Sequence, residues 1–383
     1  MIYGANASGK SSILKALDFL RAIVLAPADK KTEELKFYPF LFDKYTPHQN
    51  SILTIELIQN NVRYYYEIEF NKQAIVREEL NFYKPNKANV YKRVTDLEKQ
   101  FTKINFGSKF KIDKAFEKTL EANTLWNNTV LGGFLKTNIE LIELKEVTDW
   151  FSNYLNASID TNKSLEGFVT KQIDKFEIKK ETVVNILKKA DFNISDIIIK
   201  KEKKSPPYVW KALEAMDAPN SLIDSIKKNP LTETEFEHTI NNIKYLLPFK
   251  QESQGTQRYY GFAGLLALLI EKPNAIFIDE LESSLHPDLY THFLLSFLIN
   301  SKSSQILATT HNRELLNNRD IFRNDAIWFT EKNESSATEL YSLDDFSTNI
   351  VRDSSNIYNA YKAGKLGGVP NLSDYYINMA DAE

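Results

Sequence analysis

The chain has 383 residues, 43% hydrophobic, 26% charged and 12% aromatic, with a net charge of −3. This length allows one large domain or two ordinary ones, and the near-neutral charge excludes a global pull toward nucleic acid or membrane. Cysteine is absent, which excludes disulfides and thiolate metal sites, and no apolar run approaches the ~18 residues of a membrane span.

Met1 runs directly into a polar, glycine-bearing loop, unlike a secretory leader, so a cytoplasmic protein is expected. Residues 1–26 read as a strand stub, a loop and a helix with Leu14, Leu17, Leu20 and Val24 on one stripe. Leu53, Ile55 and Leu57 then alternate with polar residues. After an Asn60-Asn61 turn, Tyr64, Tyr66, Ile68 and Phe70 alternate again, and Ile75 to Tyr83 closes an antiparallel meander. From 84 to 245 the texture is charged and helix-like, with Ser205-Pro206-Pro207 its clearest break. Beyond 250 it returns to α/β: an apolar strand at Ala275 to Ile278, a helix at Asp288 to Ile299 and a second strand at Gln305 to Thr309. The predicted division is 1–83, 84–245 and 246–383, with the first and last parts sharing one sheet.

Gly4-Ala5-Asn6-Ala7-Ser8-Gly9-Lys10-Ser11 matches the phosphate-loop pattern G-x-x-x-x-G-K-[ST]. Its glycines let backbone N–H groups, from Asn6 through Ser12, face a phosphate at the positive end of the following helix. Lys10 would neutralise the β- and γ-phosphates of a nucleotide, and the Ser11 hydroxyl would be a magnesium ligand. Ala275-Ile276-Phe277-Ile278-Asp279-Glu280 delivers two acids at a buried strand's end, Asp279 on the metal side and Glu280 placed as general base. The strand Gln305 to Thr309 leads through Thr310 to His311, a sensor for the γ-phosphate. Upstream, Ser253 and Gly255 open an apolar helix over Tyr259 to Ile270, a second anion-binding helix start.

In this order and spacing the motifs resemble the ABC-type ATPases, in the branch with the SMC and RecF-like heads. The resemblance implies an α/β head, with a mixed sheet and an antiparallel meander lobe, plus a mostly helical inserted region. It implies ATP and Mg2+ as cofactors, and Ser253 and Gly255 of one copy contacting the γ-phosphate held by another. Glu282-Ser283-Ser284-Leu285-His286-Pro287 looks like the segment that lines that dimer interface. YGANASGKSS, DELESSLHP, TTHN, IWF…ATELYSL and GKLGGVPNL (Gly364 to Leu372) look more specifically like the RloA-like abortive-infection and anti-phage ATPases. More distant relatives are the ATPases of the Septu and PARIS systems.

The family's residue near the adenine precedes the phosphate loop, whereas three residues precede Gly4 here. Its bridging glutamine belongs near Lys36 to Phe40, where Gln49 is the candidate. The implied function is an ATP-driven switch: a dimer of heads, or a higher homo-oligomer, controlling a separate effector protein. Two other readings compete, a DNA-maintenance ATPase and a nucleotide-binding scaffold without turnover. Residues 84–118 hold ten Lys or Arg against four Asp or Glu and, with Tyr83, Tyr91, Phe101, Phe106 and Phe110 interleaved, are a candidate nucleic-acid face. Residues 171–204 hold ten against six.

Overall fold

A computed structural model describes residues 1–160, 164–201, 211, 215–216, 232–317, 321–346 and 357–370. The chain opens with β1 (Ile2–Gly4) and α1 (Lys10–Leu25), then β2 (Ser51–Gln59), β3 (Val62–Phe70), β4 (Ile75–Tyr83), β5 (Lys87–Asp96) and β6 (Phe101–Phe106). Helices α2 (Lys114–Asn123), α3 (Val130–Phe134), α4 (Ile142–Asp149), α5 (Glu166–Asp174) and α6 (Lys180–Lys189) follow. Next come β7 (Asp196–Lys201), β8 (Thr232–Ile240), β9 (Ile243–Pro248) and α7 (Gln254–Glu271). The last part holds β10 (Ala275–Ile278), α8 (Pro287–Asn300), β11 (Gln305–Ala308), β12 (Trp328–Lys332), β13 (Thr338–Ser342) and α9 (Ile357–Lys362).

These elements form two compact units. The first comprises residues 1–159, 275–279 and 306–383, and the second 160–274 and 280–305. In the first unit, β1 has a parallel neighbour on each side. It pairs with β12 in the register Ile2 to Trp328 and Gly4 to Thr330, while Ile2 also bridges Thr309 just beyond β11. The Thr309 N–H donates to the Ile278 carbonyl at the end of β10, so β11 runs beside β10 in the same direction. All four residues of β10 are buried, as expected of an apolar run in a parallel sheet.

The meander β2–β6 belongs to the same unit. Asn60 and Asn61 both take left-handed conformations, φ 50° and 61°, the geometry of a two-residue hairpin turn. Tyr64, Tyr66, Ile68 and Phe70 point inward and share one core with Leu14, Leu20 and Val24 of α1. In the second unit, α5, α6 and α8 pack on α7, which is apolar nearly all round from Tyr259 to Leu269, and β7, β8 and β9 form an antiparallel sheet.

The expected helical stretch 84–245 is corrected by this arrangement. It is helical over α2 to α6, but β5 and β6 extend the meander to Phe106, and β7 to β9 form a further sheet. The period-2 signal in β5 and β6 is hidden because the inward positions include Arg93, Thr95 and Thr102, polar residues that are buried. In β8 and β9 the turn is Asn241-Asn242, with φ 52° and 63°, the same chemistry as Asn60-Asn61. Ser205-Pro206-Pro207 and residues 202–204 lie outside the described residues, as do Asn371 and Leu372.

An ion pair is sealed in the meander. Glu78 and Arg93 face each other across β4 and β5 with no side-chain exposure, Nη1 to Oε2 at 3.7 Å. Glu78 Oε1 accepts from the Tyr66 and Tyr91 hydroxyls at 2.9 and 2.7 Å, and Oε2 accepts from the Val130 N–H at 2.8 Å. Arg93 Nη2 donates to Thr102 Oγ1 and to the Trp126 carbonyl, both at 3.0 Å. Burial pushes the Glu78 carboxyl above its ordinary range, a shift opposed by Arg93 and by these hydrogen bonds. Arg93→Met should destabilise the protein by about 3–5 kcal/mol in urea unfolding, because it strands a buried carboxylate. Glu78→Leu combined with Arg93→Met should recover most of that loss. With the cation gone, the folded-state pKa of Glu78 climbs further above its unfolded value. The single variant's deficit should therefore be largest at neutral pH and shrink as pH falls through the raised pKa.

Candidate nucleotide-binding site

The site starts from a helix whose first turn lacks a side-chain cap. α1 has 16 residues and Gly9 at its N-cap position, and no side chain there accepts from the first-turn N–H groups. By contrast Asp113, Thr129, Ser253 and His286 cap α2, α3, α7 and α8 with side-chain acceptors. A bare N-terminus at the end of a β-strand suits an anion. The loop before it is curled by left-handed residues, Ala7 at φ 61° and Gly9 at φ 104°, as backbone anion cradles require. The Lys10 Nζ donates to the carbonyls of Gly4 and Ala5, both at 2.9 Å, so the buried ammonium lies along the loop.

The loop is held from outside by the C-terminal hairpin. Thr330 on β12 shares a 2.6 Å hydrogen bond with Ser8 Oγ, and Thr338 on β13 donates to the Ser8 carbonyl at 3.0 Å. A Cβ on Gly9 would stand 2.1 Å from Thr338 Oγ1, and one on Gly4 2.3 Å from Thr330 Oγ1. Both glycines are needed for close approach as well as for curvature. A Cβ on Gly368, at φ 65°, would stand 3.5 Å from the Gly4 Cα, and the Gly368 carbonyl accepts from the Tyr361 hydroxyl at 2.9 Å. Burial pushes that phenol up to about 12.

Parallel strand order brings further predicted residues to this edge of the first unit. Asp279 follows β10 and is half-buried, and its Oδ1 accepts from Thr309 Oγ1 at 2.5 Å. Ser11 lies in the first turn of α1. A hydroxyl and a carboxylate are the hard oxygen donors that magnesium takes beside phosphate oxygens, so this donor set fits the ion. Among the described residues, no group of three His, Cys, Asp or Glu side chains could hold a metal ion. His311 is exposed and follows Thr310, whose hydroxyl accepts from the Asn312 N–H at 3.0 Å. Gln49 is exposed after a short turn at Thr46–His48.

Ser253, Gly255 and Glu280 belong to the second unit. Ser253 is exposed, and its Oγ accepts from the Thr256 N–H at 3.1 Å. A Cβ on Gly255 would meet nothing nearer than 3.8 Å, whereas on the same helix Gly261 and Gly264 are closed off by Leu165 and Val169. Glu280 is exposed with φ 47°, a left-handed conformation uncommon for glutamate. His286 and Pro287 open α8 as cap and first residue.

Three residues of this neighbourhood escape sequence reasoning. Thr309 has a local signal, standing two residues before His311 at the end of an apolar strand. Thr330 and Thr338 have none, because their partners lie more than 320 residues away in the chain.

A family profile described as "AAA domain, putative AbiEii toxin, Type IV TA system" matches residues 1–317. Similar solved structures include an SmcHead bound to the C-winged helix domain of ScpA, at 14% identity and TM-score 0.41 over 91% of each chain. The SMC head domain from Thermotoga maritima aligns at 13% identity and TM-score 0.42, covering 89% of this chain and 88% of that one. The Pyrococcus furiosus Smc head domain with an extended coiled coil, bound to the C-terminal domain of ScpA, aligns at 12% identity and TM-score 0.35, covering 92% and 91%. No curated protein matches. The profile spans well over half of the sequence, and the chain therefore belongs to this AAA-domain family of P-loop ATPases.

Proposed function

We propose that this chain is an ATP-hydrolysing switch whose nucleotide site is completed by a second copy, and that it governs a separate effector in abortive-infection defence against phage. The observation that carries the shared site is the start of α7. Ser253 is the exposed cap of an 18-residue helix, and among the described residues nothing comes nearer than 3.8 Å to where a Gly255 side chain would begin. Alanine would fit at Gly255 and is the better helix former, so in this reading a group from outside takes the space. The defence role rests on the sequence resemblance and on the toxin–antitoxin wording of the family's description.

In this reading the N–H groups of Lys10 and Ser11 bind phosphate oxygens at the positive end of α1. The Lys10 ammonium exchanges the Gly4 and Ala5 carbonyls for the β- and γ-phosphates. Ser11 and Asp279 would hold magnesium, which neutralises charge on the leaving phosphates when bound. Thr309 holds the Asp279 carboxylate in one orientation. Glu280, next in the chain, orients and deprotonates the attacking water, and His311 senses the γ-phosphate. A second reading is a nucleic-acid partner at residues 84–118. It is favoured by Lys84, Lys87, Lys92, Lys99, Lys103 and Lys109, which are exposed on and beside β5 and β6. A steep fall of duplex affinity with salt would mark it.

The loop's external support gives a first test. Thr338→Val keeps the side-chain shape but removes the donor to the Ser8 carbonyl, and titration calorimetry should show ATP–Mg2+ affinity lowered about tenfold. Gly9→Ala should abolish binding, through its φ and the contact with Thr338.

The shared site is tested by solution mass. Glu280→Gln removes the base while leaving nucleotide binding intact, so its mass should double with ATP and Mg2+. Adding Ser253→Arg should abolish the doubling. A variant that binds ATP and keeps one mass throughout would overturn the two-copy mechanism.

A further inference from the structure

The meander β2–β6 has two edges that are finished differently. On β6 the Ile104 N–H donates to Glu121 Oε1 of α2 at 2.9 Å. β2 is the other edge, nine residues long, and its strand partner is β3 alone. Asn60-Asn61 is a two-residue turn, so the closing pair Gln59–Val62 is a hydrogen-bonded one. The alternation of an antiparallel ladder then fixes the rest. Odd-numbered residues of β2 direct their N–H and C=O to β3, and Ile52, Thr54, Glu56 and Ile58 direct theirs away from it. Among the described residues nothing hydrogen-bonds these outward backbone groups.

Exposed strand edges are usually blunted by a proline, a bulge or a charge. β2 has no proline, and its register with β3 runs unbroken from Ser51–Phe70 to Gln59–Val62. Its single charged residue, Glu56, is compensated by Arg63 of β3 at 2.7 Å. Ile52 and Ile58 stand on the outer face, 62% and 68% exposed. Leu53 and Ile55 on the core face are only half-buried.

The strand Ser-Ile-Leu-Thr-Ile-Glu-Leu-Ile-Gln keeps its pattern when read backwards about Ile55. A second copy laid antiparallel about that residue sets Ile52 against the partner's Ile58, and Leu53 against the partner's Leu57. Thr54 meets the partner's Glu56, and Ile55 meets the partner's Ile55 on the two-fold axis. Outward backbone groups then oppose outward groups, for about eight hydrogen bonds, two in each of four pairs. The carboxylates face threonines and not each other. Moving the register two residues one way opposes Glu56 to the partner's Glu56, a like-charge pair. Moving it the other way opposes Ile52 to the partner's Glu56. The centred register alone matches apolar to apolar throughout.

We propose that β2 is a self-association edge, through which two copies join antiparallel about Ile55 and the two five-stranded meanders become one continuous sheet. The contact needs neither nucleotide nor Ser253, and the inference does not rest on the ATPase reading.

Solution mass of the full chain without nucleotide tests it. Twice the 44.2 kDa of one chain is expected at ~100 µM, falling toward one chain at ~1 µM, as suits a small interface. Thr54→Pro removes an outward N–H and no bond to β3, and it should abolish the doubling. The chain has no cysteine, so introduced thiols report the register. Under mild oxidation, Ile52→Cys mixed with Ile58→Cys should give about tenfold more disulfide-linked dimer than either variant alone. Only opposed residues come within the ~4.4–6.8 Å Cα separation that a disulfide needs. Ser253→Arg should leave the nucleotide-free dimer intact. Three outcomes overturn the proposal. One is a single-chain mass at ~100 µM, the result also expected if this edge takes up an extended segment of another protein. The others are cross-linking as strong in either cysteine variant alone as in the mixture, and loss of the dimer in Ser253→Arg.

Discussion

The nucleotide site depends on the position of a three-residue strand. β1 is held on one edge by β12 and on the other by the bridge from Ile2 to Thr309. These pairings are parallel, so strand ends that are far apart in sequence finish on one edge of the sheet. The phosphate loop leaves from Gly4, Asp279 follows β10 and His311 follows β11. Open α/β sheets place ligands at the carboxyl ends of their strands for this reason. A one-residue slip of β1 would turn its side chains over and carry the loop away from Asp279.

Around that edge, rigid and receptive parts are made by different means. The loop's curvature comes from Ala7 and Gly9, and its fixed position from Thr330 and Thr338, which approach so closely that only glycine fits beneath them. The receptive part is the bare start of α1, where donors are left for an anion, whereas α2, α3, α7 and α8 meet theirs with cap side chains. Asp279 combines both, one carboxylate oxygen fixed by Thr309 and the carboxylate itself available as a hard ligand.

How much of this was legible in the sequence follows from the range of each interaction. The phosphate loop, the Asp279-Glu280 strand end and His311 are local patterns, readable because the chemistry needs consecutive residues. The first three meander strands were readable because their inward residues are apolar. β5 and β6 were not, because Arg93, Thr95 and Thr102 face inward, where hydrogen bonds and an ion pair satisfy them, and a pattern of apolar and polar residues cannot show such partners. β8 and β9 carried a usable signal in Asn241-Asn242, outweighed by the charged texture around it. The threonines that brace the loop were illegible in principle, since nothing near residues 330 and 338 refers to residue 8.

That distance has a consequence for how the protein comes into being. A chain is made from its N-terminus at about 5–20 residues per second, so the phosphate loop emerges well before the β12–β13 hairpin. The hydrogen bond from Thr338 to the Ser8 carbonyl spans 330 residues. Contacts of such separation form late, because closing the intervening chain is entropically costly. The nascent protein therefore carries its phosphate-binding motif without the hairpin that braces it while more than 320 further residues are added, and the nucleotide site matures only once that hairpin arrives.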